Sequence, residues 1–119
     1  MFDARADVVK NRLYITLKGF LTDEEAKNAA GLVIAEIRKL RPGFDVINDL
    51  SEFEAASPVG TQEIARGQKA AVGGGARRFI RVVSQEILGA HQFQRVAKTT
   101  GVTAEVAGSV IEAERLLES

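Results

Sequence analysis

Apolar and polar residues alternate along two short runs near the start of the chain. Ala4, Ala6 and Val8 fall on one side of the first run, and Leu13, Ile15 and Leu17 on one side of the second. With Lys10-Asn11 between them, residues 3–18 are expected to form a β-hairpin. The period then lengthens. Thr22-Asp23-Glu24-Glu25 has the form of a capping box, in which the Thr22 and Glu25 side chains satisfy each other's backbone amides. Behind it, Ala26, Ala30, Val33, Ile37 and Leu40 recur at helical spacing, and Arg38, Lys39 and Arg41 suit the negative end of a helix dipole. Pro42-Gly43 stops that helix.

Residues 44–50, Phe-Asp-Val-Ile-Asn-Asp-Leu, read as a strand, and after a helix the simplest connection makes it parallel to a strand of the hairpin. Ser57-Pro58 opens a second helix, with Ser57 as cap and Pro58 at the first helical position. This helix runs to about Val72 and is short of large apolar residues: Ile64, Ala65, Ala71 and Val72 stand among Gln62, Glu63, Arg66, Gln68 and Lys69. Gly73-Gly74-Gly75 interrupts the chain before a strand at residues 78–83. A third helix is expected over residues 85–99, with Ala90, Phe93, Val96 and Ala97 on one face, ended by Gly101. Val102, Ala104 and Val106 alternate in a last strand. Ser109 and Glu112 form a second capping box before a helix docked by Val110, Ala113, Leu116 and Leu117. The expected order is β-β-α-β-α-β-α-β-α: an α/β fold with a central mixed sheet flanked by helices.

The chain has 119 residues, the size of one domain around one core, so residues 1–119 are expected to form a single domain. Hydrophobic residues at 45% and charged residues at 27% are a globular balance, and no run approaches the roughly 20 apolar residues of a membrane span. No signal-peptide pattern opens the chain, so a cytoplasmic location is expected. The absence of cysteine excludes disulfides, thiolate metal sites and thiol catalysis. Sixteen basic residues balance sixteen acidic ones, leaving no net attraction to nucleic acid.

The element order, over essentially the whole chain, resembles the STAS domain, named for sulfate transporters and anti-sigma-factor antagonists. Val46-Ile47-Asn48-Asp49-Leu50-Ser51-Glu52-Phe53 is similar to that family's third strand and the Asp-Leu-Ser-like triplet that follows it. Ala56-Ser57-Pro58-Val59-Gly60 falls where the family has Asp, Ser or Thr, one or two residues and Gly at the start of the second helix. Here Ala56 stands in place of Asp, and Pro58-Val59 adds a residue before Gly60. Residues 107–117 resemble the last helix of a STAS-like branch of uncharacterised bacterial proteins. The resemblance implies a non-enzymatic regulatory module that binds a kinase-type anti-sigma factor or sensor and is switched by phosphorylation of the hydroxyl residue, here Ser57, with Thr61 as a second candidate.

A phosphate on Ser57 would sit at the positive end of a helix dipole and add about −1.5 to −2 charge to the surface. The alternative is that Ser57 only caps the helix, worth roughly 1 kcal/mol. The polar outer face of the second helix makes Glu54, Ser57, Thr61, Glu63, Arg66 and Lys69 the expected partner-binding residues. The three consecutive glycines followed by Arg77 and Arg78 match no phosphate-loop pattern, and a flexible connection is expected there. Arg66, Lys69, Arg77 and Arg78 would form an anionic-partner patch if helix and loop fold together. His91, the only histidine, has no second ligand for a metal, and Asp49, Glu52 and Glu54 lack the base, nucleophile and oxyanion donor of an active site. No metal or cofactor is expected. The rival function is a small apolar ligand carrier or sensor with a pocket lined by Phe44, Phe79 and Phe93, residues that otherwise belong to the core. Exposed sheet edges leave a homodimer open.

Overall fold

A computed structural model describes residues 1–84 and 104–118. The third expected helix, with His91 and Phe93, lies outside the described residues. The elements are β1 (Phe2–Asp7), β2 (Arg12–Leu21), α1 (Asp23–Ile37), β3 (Asp45–Ala56), α2 (Pro58–Gly73), β4 (Arg78–Val82), β5 (Ala104–Ala107) and α3 (Val110–Glu118). The strands form one sheet in the order β1-β2-β3-β4-β5. The hairpin pair β1–β2 is antiparallel, and β2–β3, β3–β4 and β4–β5 are parallel. Asn11 supplies the left-handed turn residue of the hairpin, at φ 56°, a conformation that asparagine tolerates better than most residues.

Strand order follows chain order, so the crossovers β2-α1-β3 and β3-α2-β4 advance in the same direction. Crossovers of one hand then set both helices on one face of the sheet. That face holds Leu13, Val33, Phe44, Val46 and Ala71 in one cluster and Leu17, Leu21, Ala26 and Ala29 in another. The opposite face is covered by α3, whose Ala113 and Leu117 pack on Ile47, Ile80, Val82 and Ala107. The two-residue period of β3 thus feeds two cores: Val46 points to α1 and α2, Ile47 to α3.

The caps form as expected, with one change. Thr22 Oγ1 accepts from the Glu25 amide at 3.1 Å, and Glu25 Oε1 accepts from the Thr22 amide at 3.0 Å. At α3, Ser109 Oγ accepts from the Glu112 amide at 3.1 Å, but Glu112 reaches back to the Gly108 amide, at 3.2 Å, one residue further than in a capping box. α1 closes at Ile37, and Lys39 turns to Glu36 at 2.7 Å instead of serving the helix end.

The expectation of a flexible glycine connection is corrected. Gly73 ends α2, while Gly75 adopts φ +97° and its carbonyl accepts from the Gly43 amide at 2.7 Å. A Cβ on Gly75 would lie 2.9 Å from both Cα and Cβ of Pro42. The connection is therefore a packed joint between the two loops beneath β3 and β4.

Candidate functional site

The two longest strands, β2 and β3, run together past their neighbours. β1 pairs with β2 only as far as Leu17, and β4 with β3 only as far as Asp49, whereas the β2–β3 pairing continues to Leu21 and Ala56. Gly19, at φ +65°, accompanies a register shift in this extension. Because Leu21 and Ala56 are paired, the residues that follow them, Thr22 and Ser57, emerge side by side, and each caps a helix. Two helix N-termini therefore meet at one end of the sheet.

Ser57 is the joint between them. Its Oγ accepts from the Gly60 amide at 3.0 Å, which caps α2, and its hydroxyl donates to the Asp23 carboxylate in the first turn of α1. Gly60 is buried beneath it: a Cβ there would lie 3.2 Å from Ala56 Cβ, 3.3 Å from Ala26 Cβ and 3.3 Å from Ser57 Oγ. Any larger residue would have to spread α1 from α2 or displace the Ser57 hydroxyl. The surroundings are acidic. Asp23, Glu24 and Glu25 occupy the first turn of α1, and α2 begins without an acidic residue of its own. The hydrogen bond from the Thr22 amide, helped by the nearby N-terminal amino group, holds the Glu25 carboxyl below its usual range. Two large apolar side chains, Phe20 and Val59, stand more than half exposed where β2 ends and α2 begins.

Comparison with solved structures gives a likeness over the whole chain. An uncharacterised DUF3478-family protein with a SpoIIAA-like fold from Shewanella loihica superposes with a TM-score of 0.74 at 14% identity, covering 98% of this chain and 93% of that one. The anti-sigma factor antagonist SpoIIAA in its unphosphorylated form superposes with a TM-score of 0.63 at 15% identity, covering 100% and 99%. The chain has the SpoIIAA-like, STAS-type fold. No family model matches the sequence, and no curated protein matches it.

Within this STAS-type fold the partner-binding residues expected from the sequence gather along the start and outer surface of α2. Thr61, Arg66 and Lys69 are exposed, Glu54 is exposed near the end of β3, and Glu63 is half-buried. Arg66 bonds Glu63 within the same helix, at 2.9 Å from Nε and 2.8 Å from Nη2. The basic patch is not assembled. Arg77 instead forks onto Asp45 of β3 at 3.1 and 2.9 Å, and Arg78 onto Glu105 of β5 at 2.7 and 2.6 Å.

The acidic trio of β3 is likewise dispersed. Asp49 accepts from Ser51, at 3.0 Å from the amide and 2.7 Å from the hydroxyl, and Glu52 pairs with Lys18 at 3.3 Å. Among the described residues, no group of three acidic or histidine side chains comes together as a metal site. No helix among them is long and apolar enough to cross a membrane.

Of the three aromatic residues expected to line a ligand pocket, two lie among the described residues. Phe44 is fully buried in the core with Leu13 and Val46, and Phe79 packs against that same cluster; Phe93 lies outside the described residues. The cleft present on this side lies instead between β2, β3 and the two helices, and neither Phe44 nor Phe79 lines it. Sequence reasoning missed Asp23 as the partner of Ser57. Only the Leu21–Ala56 register brings residues 34 positions apart into contact. It also missed Asn48, a buried polar residue in the core face of β3.

Proposed function

We propose that this protein is a non-enzymatic, cytoplasmic regulatory module that docks a protein partner through the N-terminal half of α2 and the end of β3, with Ser57 as the regulated position. The observation that carries this reading is the position of Ser57 at the junction of two helix N-termini, partly exposed, beside the exposed apolar side chains Phe20 and Val59. Apolar side chains flanked by Thr61, Arg66 and Lys69 have the composition of a small interface: an apolar centre with a polar, charged rim. Likeness in fold to an anti-sigma factor antagonist supports a protein as the partner, of the kinase-type anti-sigma or sensor class.

Phosphorylation of Ser57 would have two effects. It removes the hydroxyl proton that Asp23 accepts, and it brings about −1.5 to −2 charge against a carboxylate already in contact. The helix dipole of α2 favours that charge, so the fold persists while the junction and its surface potential change. The alternative of an apolar ligand carrier has less support. The cleft beside Asn48 has a volume of about 30 Å³, room for one or two waters, and is not lined by Phe44 or Phe79.

The test is capture of partners from a bacterial lysate by the wild type, Ser57→Ala, Ser57→Asp and Arg66→Glu, with intact mass of the recovered protein. The expected result is a partner retained by Ser57→Ala, lost with Ser57→Asp and weakened by Arg66→Glu, and an added phosphate on the wild type. Equal capture by all four proteins overturns the assignment of this surface.

A further inference from the structure

The side of β3 that faces α1 and α2 carries Val46 and then Asn48, in line with Phe44 just before the strand. All three are buried, Asn48 at 6% exposure, yet Asn48 Oδ1 has no hydrogen-bond partner among the described residues. Burying an amide oxygen unpaired costs about 1–3 kcal/mol, so such an acceptor calls for a donor other than the groups of the described residues. Asn48 lines a cleft of about 30 Å³ that is bounded by Ile15 and Leu17 of β2, Ala30 of α1, and Ile64 and Gln68 of α2.

The volume selects the occupant. A water molecule needs roughly 10–15 Å³ on this measure together with two to four polar partners. On that measure the cleft has room for one or two waters. Its polar partners are at hand: the half-buried Gln68 and Glu63 line the same space as Asn48. The remaining walls are apolar and supply no competing donor.

We propose that this cleft is a structural water site in which a bound water donates to Asn48 Oδ1 and bridges β3 to the polar side chains of α2. It accounts for a polar residue at a core position of β3. It also supplies part of the attachment of a helix whose buried residues are only Gly60, Gly67 and Ala71. The proposal does not depend on the docking function of α2.

The deciding experiment is a high-resolution crystal structure of the wild type and of Asn48→Leu, paired with water-to-methyl NOE spectra of both proteins in solution. The wild type is expected to hold a water within hydrogen-bond distance of Asn48 Oδ1 and to give cross-peaks from a long-lived water to the Leu17 and Ile64 methyls. Asn48→Leu is expected to lose both signals as its side chain fills the cleft. An empty wild-type cleft, an Oδ1 paired directly with a protein donor, or a water signal that persists in Asn48→Leu overturns the proposal. If Asn48→Leu does not fold, the wild-type map and spectrum decide by themselves.

Discussion

Three consecutive glycines, Gly73, Gly74 and Gly75, are chemically identical, and their replacement by alanine is expected to give three different results. At Gly73, the last residue of α2, a Cβ meets nothing within 4 Å. Alanine there gains helix propensity and stabilises by about 0.5–1 kcal/mol. At Gly74 a Cβ approaches Ile37 Cγ2 at 2.9 Å and the Ala70 carbonyl at 3.3 Å. The first is the branch methyl of a helical isoleucine whose χ1 is stiff, so alanine is expected to cost about 1–3 kcal/mol.

At Gly75 the backbone is at φ +97° and the Cβ meets Pro42 Cα and Cβ at 2.9 Å. Left-handed strain of about 1–2 kcal/mol and overpacking of about 1–3 kcal/mol add. The reduced freedom of the unfolded chain returns about 0.4–1 kcal/mol. The net loss is roughly 2–4 kcal/mol, equivalent to a fall of about 10 °C in the melting midpoint for a domain of this size. Thermal and urea unfolding of the three variants, followed by circular dichroism, measure this directly. If Gly75→Ala melts with the wild type, or shifts in the same direction as Gly73→Ala, the packed joint between the two loops is wrong.

Two further outcomes are expected. Arg78 joins β4 to Glu105 of β5 and, through Nη1 at 3.1 Å, to the Leu116 carbonyl of α3. Arg78→Ala should therefore cost about 1.5–3 kcal/mol in urea unfolding, with Arg78→Lys recovering only part; a loss below about 0.5 kcal/mol would mean that the fork contributes little. Glu36 is held below the usual carboxylate range by the Lys39 ammonium and by the Ala6 amide, which donates to it at 2.9 Å. A depressed folded-state pKa stabilises above the unfolded value of about 4.3 and is lost as pH falls through the lower folded value. Wild-type stability should accordingly fall on acidification below about pH 4.3 more steeply than that of Glu36→Gln; parallel acid limbs would remove Glu36 from the account.

Much of the fold was legible because its signals are local. The alternation in residues 3–18, the capping box at Thr22, the Ser57-Pro58 start and the second cap at Ser109 act over a few residues, and each opened the element expected of it. The order of those elements was enough to indicate a mixed sheet with helices against it, and the superpositions agree with that fold. The site was legible only in part. Ser57 was visible as a cap, but its hydroxyl's acceptor, Asp23, was not, since that contact depends on where two strands end relative to each other.

Apart from the Glu112 cap and the basic end of α1, the expectations that failed concerned which distant groups become neighbours. The arginines near the glycine run looked like a patch because they are close in sequence, yet Arg77 pairs with Asp45 of β3 and Arg78 with Glu105 of β5. The glycines looked like a flexible connection, yet the approach of Pro42 makes Gly75 part of a joint. The packing of α1 and α2 over Asn48 leaves its oxygen buried beside a cleft. Sequence alone determined the identity, order and capping of the elements, because those depend on hydrogen bonds and periodicity within one or two turns. Tertiary structure decided the pairings, the buried acceptor and the Ser57 junction, because these depend on distances between segments that are set only when the sheet closes its register and the helices pack.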